Sequence, residues 1–171
     1  MPKIIENVRE QLLGGAKRQI TEQGYAKTTI RSVAGACGLG VGTVYNYFKS
    51  KDMLIATFMA DDWQKGVDEI RSCSSHEPRE LLLSVYNMLS KFIEAHRMLF
   101  LDSDATKVFY TVFAERHKML RDQIADLILP VCENGTDPEF RSQFVAEALL
   151  TWTTAGKSFD EIYSVIEKLR K

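Results

Sequence analysis

Apolar residues recur along this chain at steps of three and four, and no stretch sustains the alternation of a half-buried strand. The first run carries Ile5, Val8, Leu12, Ala16 and Ile20 and stops at Gly24, a residue suited to the left-handed backbone that closes helices. A second, shorter helix is predicted after Thr28-Thr29, either of which is a fitting cap, with Ile30, Val33, Ala34 and Cys37 inward. Gly38-Leu39-Gly40 then reads as a tight turn, and a third helix spans Val41 to Tyr47 with Val44 and Phe48 four apart. The fourth helix starts near Ser50-Lys51-Asp52 and carries a stripe of Met53, Ala56, Ala60, Trp63, Val67 and Ile70. A fifth begins at Pro78 and runs to about His96 on Leu81, Leu82, Val85, Leu89 and Phe92, followed by a short piece near Met98–Leu101. Ser103 or Asp104 is the expected cap of a long helix, and residues 133–138 form the clearest loop. Two last helices follow, on either side of Gly156-Lys157-Ser158. The fold class expected is all-α, with a three-helix, homeodomain-like head over residues 1–50 and a helical bundle over 51–171.

Charge sharpens that division. Residues 1–50 hold seven Lys and Arg against three Glu, whereas the remainder is net acidic, and Tyr25–Lys51 contains four basic residues and no acidic one. A basic end on an acidic body points to a polyanionic partner at that end only. Two short helices joined by a glycine-bearing turn, the second small and polar on one face, make a helix-turn-helix. Its second helix needs small side chains where it enters the major groove, and Gly40 and Gly42 supply them. Helical spacing puts Gly42, Thr43, Asn46 and Tyr47 on one face and Val44 and Phe48 on the other. Thr43 and Tyr47 are hydrogen-bond donors suited to phosphate, and Asn46 is suited to reading adenine. Lys49 and Lys51 follow at the start of the fourth helix, where the dipole also favours phosphate.

From Gly24-Tyr25 through Thr28-Thr29-Ile30-Arg31-Ser32-Val33-Ala34 to Gly38-Leu39-Gly40-Val41-Gly42-Thr43-Val44-Tyr45-Asn46-Tyr47-Phe48-Lys49-Ser50-Lys51, the chain closely resembles the TetR family of transcriptional regulators. The resemblance implies a homodimer whose heads read two half-sites of a double-stranded DNA operator. It also implies a C-terminal domain that senses a small inducer, and so a ligand-responsive repressor. It gives Thr43, Tyr45 and Asn46 recognition-helix contacts, Tyr47 and Lys51 phosphate contacts, and Thr29 the phosphate-facing start of the second helix. Arg31 is read either as a further contact or as a solvated helix residue. Gly40 stands where relatives place a Ser or Thr cap, which predicts a looser start to the recognition helix. Val41 stands where they carry a cation. Trp152, Gly156 and Ser158-Phe159-Asp160-Glu161-Ile162 resemble the junction of the family's last two helices, which pair across the dimer in a four-helix bundle.

The last two helices carry Phe140, Phe144, Ala148 and Trp152, then Phe159, Ile162, Ile166 and Leu169, more apolar surface than one short pair buries alone. They are the expected dimer interface. Trp63, Tyr86, Phe113 and His117 are candidates for lining a cavity that takes a small apolar or aromatic effector, against the plainer reading as core. His76 and His96 read as surface residues, and Asp102-Ser103-Asp104 as a helix start rather than a metal site. No metal, cofactor or enzymatic activity is expected: there is no nucleophile–base pair, no phosphate-cradling glycine loop and no zinc motif. Three widely spaced cysteines, Cys37, Cys73 and Cys132, argue against a disulfide framework. With no signal-peptide core at the start and no membrane span, a cytoplasmic location is expected. The competing class is a helical interaction protein of the same fold, an activator or co-regulator without a small ligand.

Overall fold

The computed structural model describes residues 7–72, 77–133 and 137–169, and the side chains of these except 110–115 and 169. Ile5, Cys73, His76, the centre of the 133–138 loop and the side chains of Phe113 and Leu169 therefore lie outside the described residues. Every regular element described is helical: α1 Val8–Lys27, α2 Ile30–Ala36, α3 Val41–Tyr47, α4 Lys51–Arg71, α5 Pro78–Ala95, α6 Arg97–Leu101, α7 Ser103–Ile128, α8 Pro138–Thr154 and α9 Phe159–Leu169, with a 3-10 turn at Leu129–Val131. No described helix is long and apolar enough to cross a membrane.

The chain forms two compact units, and the expected boundary at residue 50 falls inside the first. That unit takes residues 1–62 and 96–111, so it adds the first half of α4, α6 and the start of α7 to the head. Its core is built on Leu12, Ala16, Val33, Val44, Leu54 and Ile55, which are fully or almost fully buried. α1 packs against both α2 and α6. Its helical path breaks at Gly24, with φ 81° and ψ 175°, and the buried Thr28 hydroxyl closes the break by donating to the Gly24 carbonyl at 2.9 Å. Thr29 is thus left to cap α2: its Oγ1 accepts from the Ser32 N–H at 3.0 Å, while Ser32 Oγ accepts from the Thr29 N–H at 2.9 Å. Of the two threonines that sequence allows as cap, one is the cap and the other is core.

In α4 the predicted stripe is rotated at its N-terminal half. Met53 is half exposed, and Leu54, Ile55, Phe58 and Met59 are buried in its place. The Ser50 hydroxyl accepts from the Met53 N–H at 3.1 Å, as a cap should. The cap of α7 is neither Ser103 nor Asp104. Asp102 Oδ1 accepts from the N–H groups of Asp104 at 3.0 Å and Ala105 at 2.9 Å, one residue before the first of the two expected caps.

The second unit takes residues 63–95 and 112–171. α5 packs on α8 and α9 around Val67, Leu82, Val85, Leu89, Ile124, Ile128, Leu149 and Ile166. Asp137, with φ 55°, caps α8 by accepting from the Phe140 N–H at 3.1 Å, and Pro138 occupies the first turn.

Candidate nucleic-acid interface

The first unit holds α3 so that one side of it is anchored and the other is bare. Val44 is fully buried and Phe48 nearly so, whereas Gly42, Tyr45, Asn46 and Tyr47 are exposed and Thr43 partly exposed. Both tyrosines keep about half their surface in solvent (48% and 49%), far more than a packing role needs. The turn before α3 depends on Gly38, whose φ of 65° suits a residue without a Cβ. Gly40 gives α3 no side-chain cap; only its carbonyl receives the Thr43 and Val44 N–H groups.

Beside α3 the start of α2 and the start of α4 enclose a shallow concavity of about 590 Å³, with Thr29, Arg31, Val41, Tyr45, Lys49 and Lys51 on its walls. Val41 is half-buried and lines this concavity. Arg31 and Lys49 are exposed, and no carboxylate among the described residues pairs with Arg31, Lys49 or Lys51. Three uncompensated cations around one hollow attract an anion from outside the molecule. Lys51 is the most constrained of them. Its Nζ donates to the Tyr25 carbonyl at 3.0 Å and sits 3.5 Å from the centre of the Tyr25 ring. The resemblance to the family runs through Tyr25 but implies no role for it. The only sequence signal for it is an aromatic residue directly after a helix-breaking glycine.

The candidates of the second unit separate. Trp63 is buried, its indole N–H donates to Gln123 Oε1 at 2.7 Å, and its ring meets Phe92 edge-on at 5.5 Å. The Tyr86 hydroxyl donates to the Lys157 carbonyl at 3.1 Å. His117 Nε2 lies 3.0 Å from both carboxylate oxygens of Glu147, and this contact, with Thr151, keeps the Glu147 carboxyl below its usual range against the upward push of burial. Each polar handle is already engaged, with a different partner.

The predicted dimer residues divide in two. Phe140, Phe144 and Trp152 on α8 are exposed and Ala148 is half-buried. Phe159, Ile162 and Ile166 on α9 are buried in the unit's own core, so they do not offer the free surface expected of them. Among the described side chains of α9, Val165 is the exposed large apolar one, outside the stripe of Phe159, Ile162 and Ile166. Phe144, Ala148, Trp152 and Val165 line a groove of about 380 Å³, with Ile162 and Ile166 at its floor.

His96 departs from its expected surface position. It is buried, not on the surface: its ring stacks on Phe58 at 5.7 Å and its Nε2 lies 3.2 Å from Asp62 Oδ2.

Comparison with known proteins places this geometry. Residues 12–57 match the family model described as bacterial regulatory proteins, tetR family. The HTH-type transcriptional repressor Rv1474c of Mycobacterium tuberculosis is 35% identical over 69 residues, 38% of this chain and 37% of that protein. The HTH-type transcriptional repressor KstR2 of Mycolicibacterium smegmatis is 30% identical over 91 residues, 52% of this chain and 44% of that one. The chain thus spans less than half the length of these curated relatives. Among solved structures, the fatty acid degradation regulator FadR from Bacillus halodurans superposes with a TM-score of 0.64 at 21% identity, covering 98% of this chain and 96% of that one. FadR of Thermus thermophilus, solved in complex with lauroyl-CoA, gives 0.59 at 20% identity, covering 95% and 92%. At such identities these two structures speak for the fold. Through residues 12–57, the segment that carries α2, the turn and α3, this chain is similar to the tetR family of bacterial regulatory proteins.

Proposed function

We propose that this protein is a sequence-specific, DNA-binding transcriptional regulator, a homodimeric repressor released by a small, largely apolar effector. The observation that carries the reading is the bare face of α3, with Tyr45, Asn46 and Tyr47 exposed beside three cations that no described carboxylate neutralises. A helix seated on Val44 and Phe48 is stiff enough to enter a major groove, and the cations of the neighbouring hollow meet phosphates on its rim. Thr29, Arg31, Gly42, Thr43, Lys49 and Lys51 complete the contact set. Phe140, Phe144 and Trp152 support self-association through α8, and a two-fold contact matches a near-palindromic operator. The effector belongs to the second unit, where Trp63, Tyr86 and His117 are its candidate contacts. The lauroyl-CoA held by the Thermus thermophilus neighbour supports a ligand with an apolar chain.

The test is to let the full-length protein select duplexes from a randomised pool and to measure affinity across a salt series. Affinity falls linearly in log–log, with a slope of about 0.9 per neutralised phosphate. Asn46→Ala costs about 1–3 kcal/mol on the selected site and spares unrelated sequence, whereas Lys51→Ala weakens every duplex alike. Failure to retain any duplex, or identical behaviour of the two variants across a panel of sites, overturns the reading.

A further inference from the structure

Lys51 is held in place by one aromatic residue from another helix. Its ammonium has three N–H groups. One goes to the Tyr25 carbonyl, and the charge rests on the face of the Tyr25 ring. The other two N–H groups have no partner among the described residues, and Lys51 lines the same hollow as Arg31 and Lys49. A free lysine at a helix start samples many rotamers, and fixing it on binding costs side-chain entropy. Here that cost is met in the fold before any ligand arrives.

The ring that does this is itself fixed on three sides. Tyr25 follows the helix break at Gly24 and is buried. Its hydroxyl donates to Asp52 Oδ1 at 2.6 Å, and its ring meets Phe109 of α7 edge-on at 6.2 Å. Burial, first, and then the Asp52 carboxylate hold the phenol well above its usual pKa, so it stays a neutral donor. The same hydroxyl engages Asp52, the carboxylate next to Lys51 in sequence. The cation is therefore presented beside an acid that already has a partner.

We propose that Tyr25 is a positioning residue for DNA affinity: its ring face and carbonyl pre-set the Lys51 ammonium toward the hollow where a backbone phosphate docks. The proposal rests on the DNA-binding reading above, and Tyr25 acts in it only through Lys51 without touching DNA. It follows that the aromatic face is what counts and that the hydroxyl is dispensable for affinity.

The experiment is a double-mutant cycle on the full chain with a duplex selected by the wild-type protein. Tyr25→Leu weakens binding about fivefold, the worth of a modest cation–π contact. Tyr25→Phe, which keeps the face, stays within about twofold of wild type. In the Lys51→Ala background the Tyr25→Leu change has no further effect, and both single variants lower the salt slope. Equal losses for the leucine and phenylalanine variants, or a Tyr25→Leu loss that persists without Lys51, overturns the positioning role. Such a persistent loss is also what a merely unfolded head produces. A wild-type measurement guards against a leucine variant that does not fold. Ring current shifts the Lys51 Cε methylene protons upfield in the free protein and in the DNA complex, and unshifted signals in either state overturn the proposal. If wild-type protein selects no duplex, it is the DNA-binding reading that has failed, whatever the position of Lys51.

Discussion

His96 shows how far one residue departs from what its neighbours in sequence suggest. It follows the end of α5 in a polar stretch, Glu94-Ala95-His96-Arg97, where surface is the natural expectation. In the fold it is 2% exposed, stacked on Phe58 and faced by Asp62, which also receives the Lys17 ammonium at 2.5 Å. Burial pulls the imidazole down to about 4 from its ordinary 6.5, against the upward pull of Asp62. The folded state thus keeps His96 neutral where the unfolded chain protonates it. Its contribution to stability is complete above pH 6.5 and is lost progressively as pH falls towards 4. Between pH 7 and pH 5 that amounts to about 2 kcal/mol. Denaturant melts of wild type and His96→Gln at the two pH values check this. The variant, unable to titrate, has the shallower acid loss by about that amount, and equal losses rule out His96 as the source.

At the scale of elements, a glycine decides how closely α4 and α5 approach. A Cβ on Gly66 would stand 2.6 Å from Cγ of the buried Met88, closer than real carbon contacts allow. In an isolated helix Gly66→Ala is worth about 0.5–1 kcal/mol of stabilisation. Here overpacking, at about 1–3 kcal/mol, outweighs it, and the variant is less stable than wild type. Met88→Ala in the same chain removes the clash, so the double variant is more stable than the sum of the single changes predicts. Additive losses in thermal melts count against this account. The helix boundaries themselves were largely legible. Gly24, Pro78, the Ser50 cap and the glycine turn before α3 act through local backbone chemistry, which sequence displays directly. The caps at Thr29 and Asp102 were ambiguous because each has a neighbour of the same chemistry, and only packing chooses between them.

For the whole molecule, the proposed self-association rests on the α8 face. Phe140 and Phe144 lie ring to ring at 6.4 Å in solvent, and Trp152 stands half exposed two turns further on. Buried aromatic anchors dominate interface energetics, and loss of one costs about 2 kcal/mol, or thirtyfold. Trp152→Glu therefore shifts the protein to monomer at micromolar concentration by sedimentation, with an unchanged melting profile at low concentration because the residue is outside the core. It also lowers affinity for the two-half-site operator while leaving half-site binding intact. A Trp152→Glu protein that sediments as a dimer removes α8 from the interface.

The chain by itself determined its all-helical class, most helix ends and the helix-turn-helix. Each of these is written in local terms: a three-to-four-residue apolar step, a cap, a glycine turn, a contiguous match over residues 12–57. It did not determine which apolar face of α9 is core. Phe159, Ile162 and Ile166 form as good a stripe for a partner as for α5 and α8, and periodicity is silent about which surface covers a stripe. Nor did it place His96 against Asp62 or Tyr25 beneath Lys51, pairs separated by 34 and 26 residues. Contacts over such separations are made by the packing of helices against one another. The order of residues along any one helix carries no term for them, and that packing alone turned a tyrosine after a helix break into the seat of a cation.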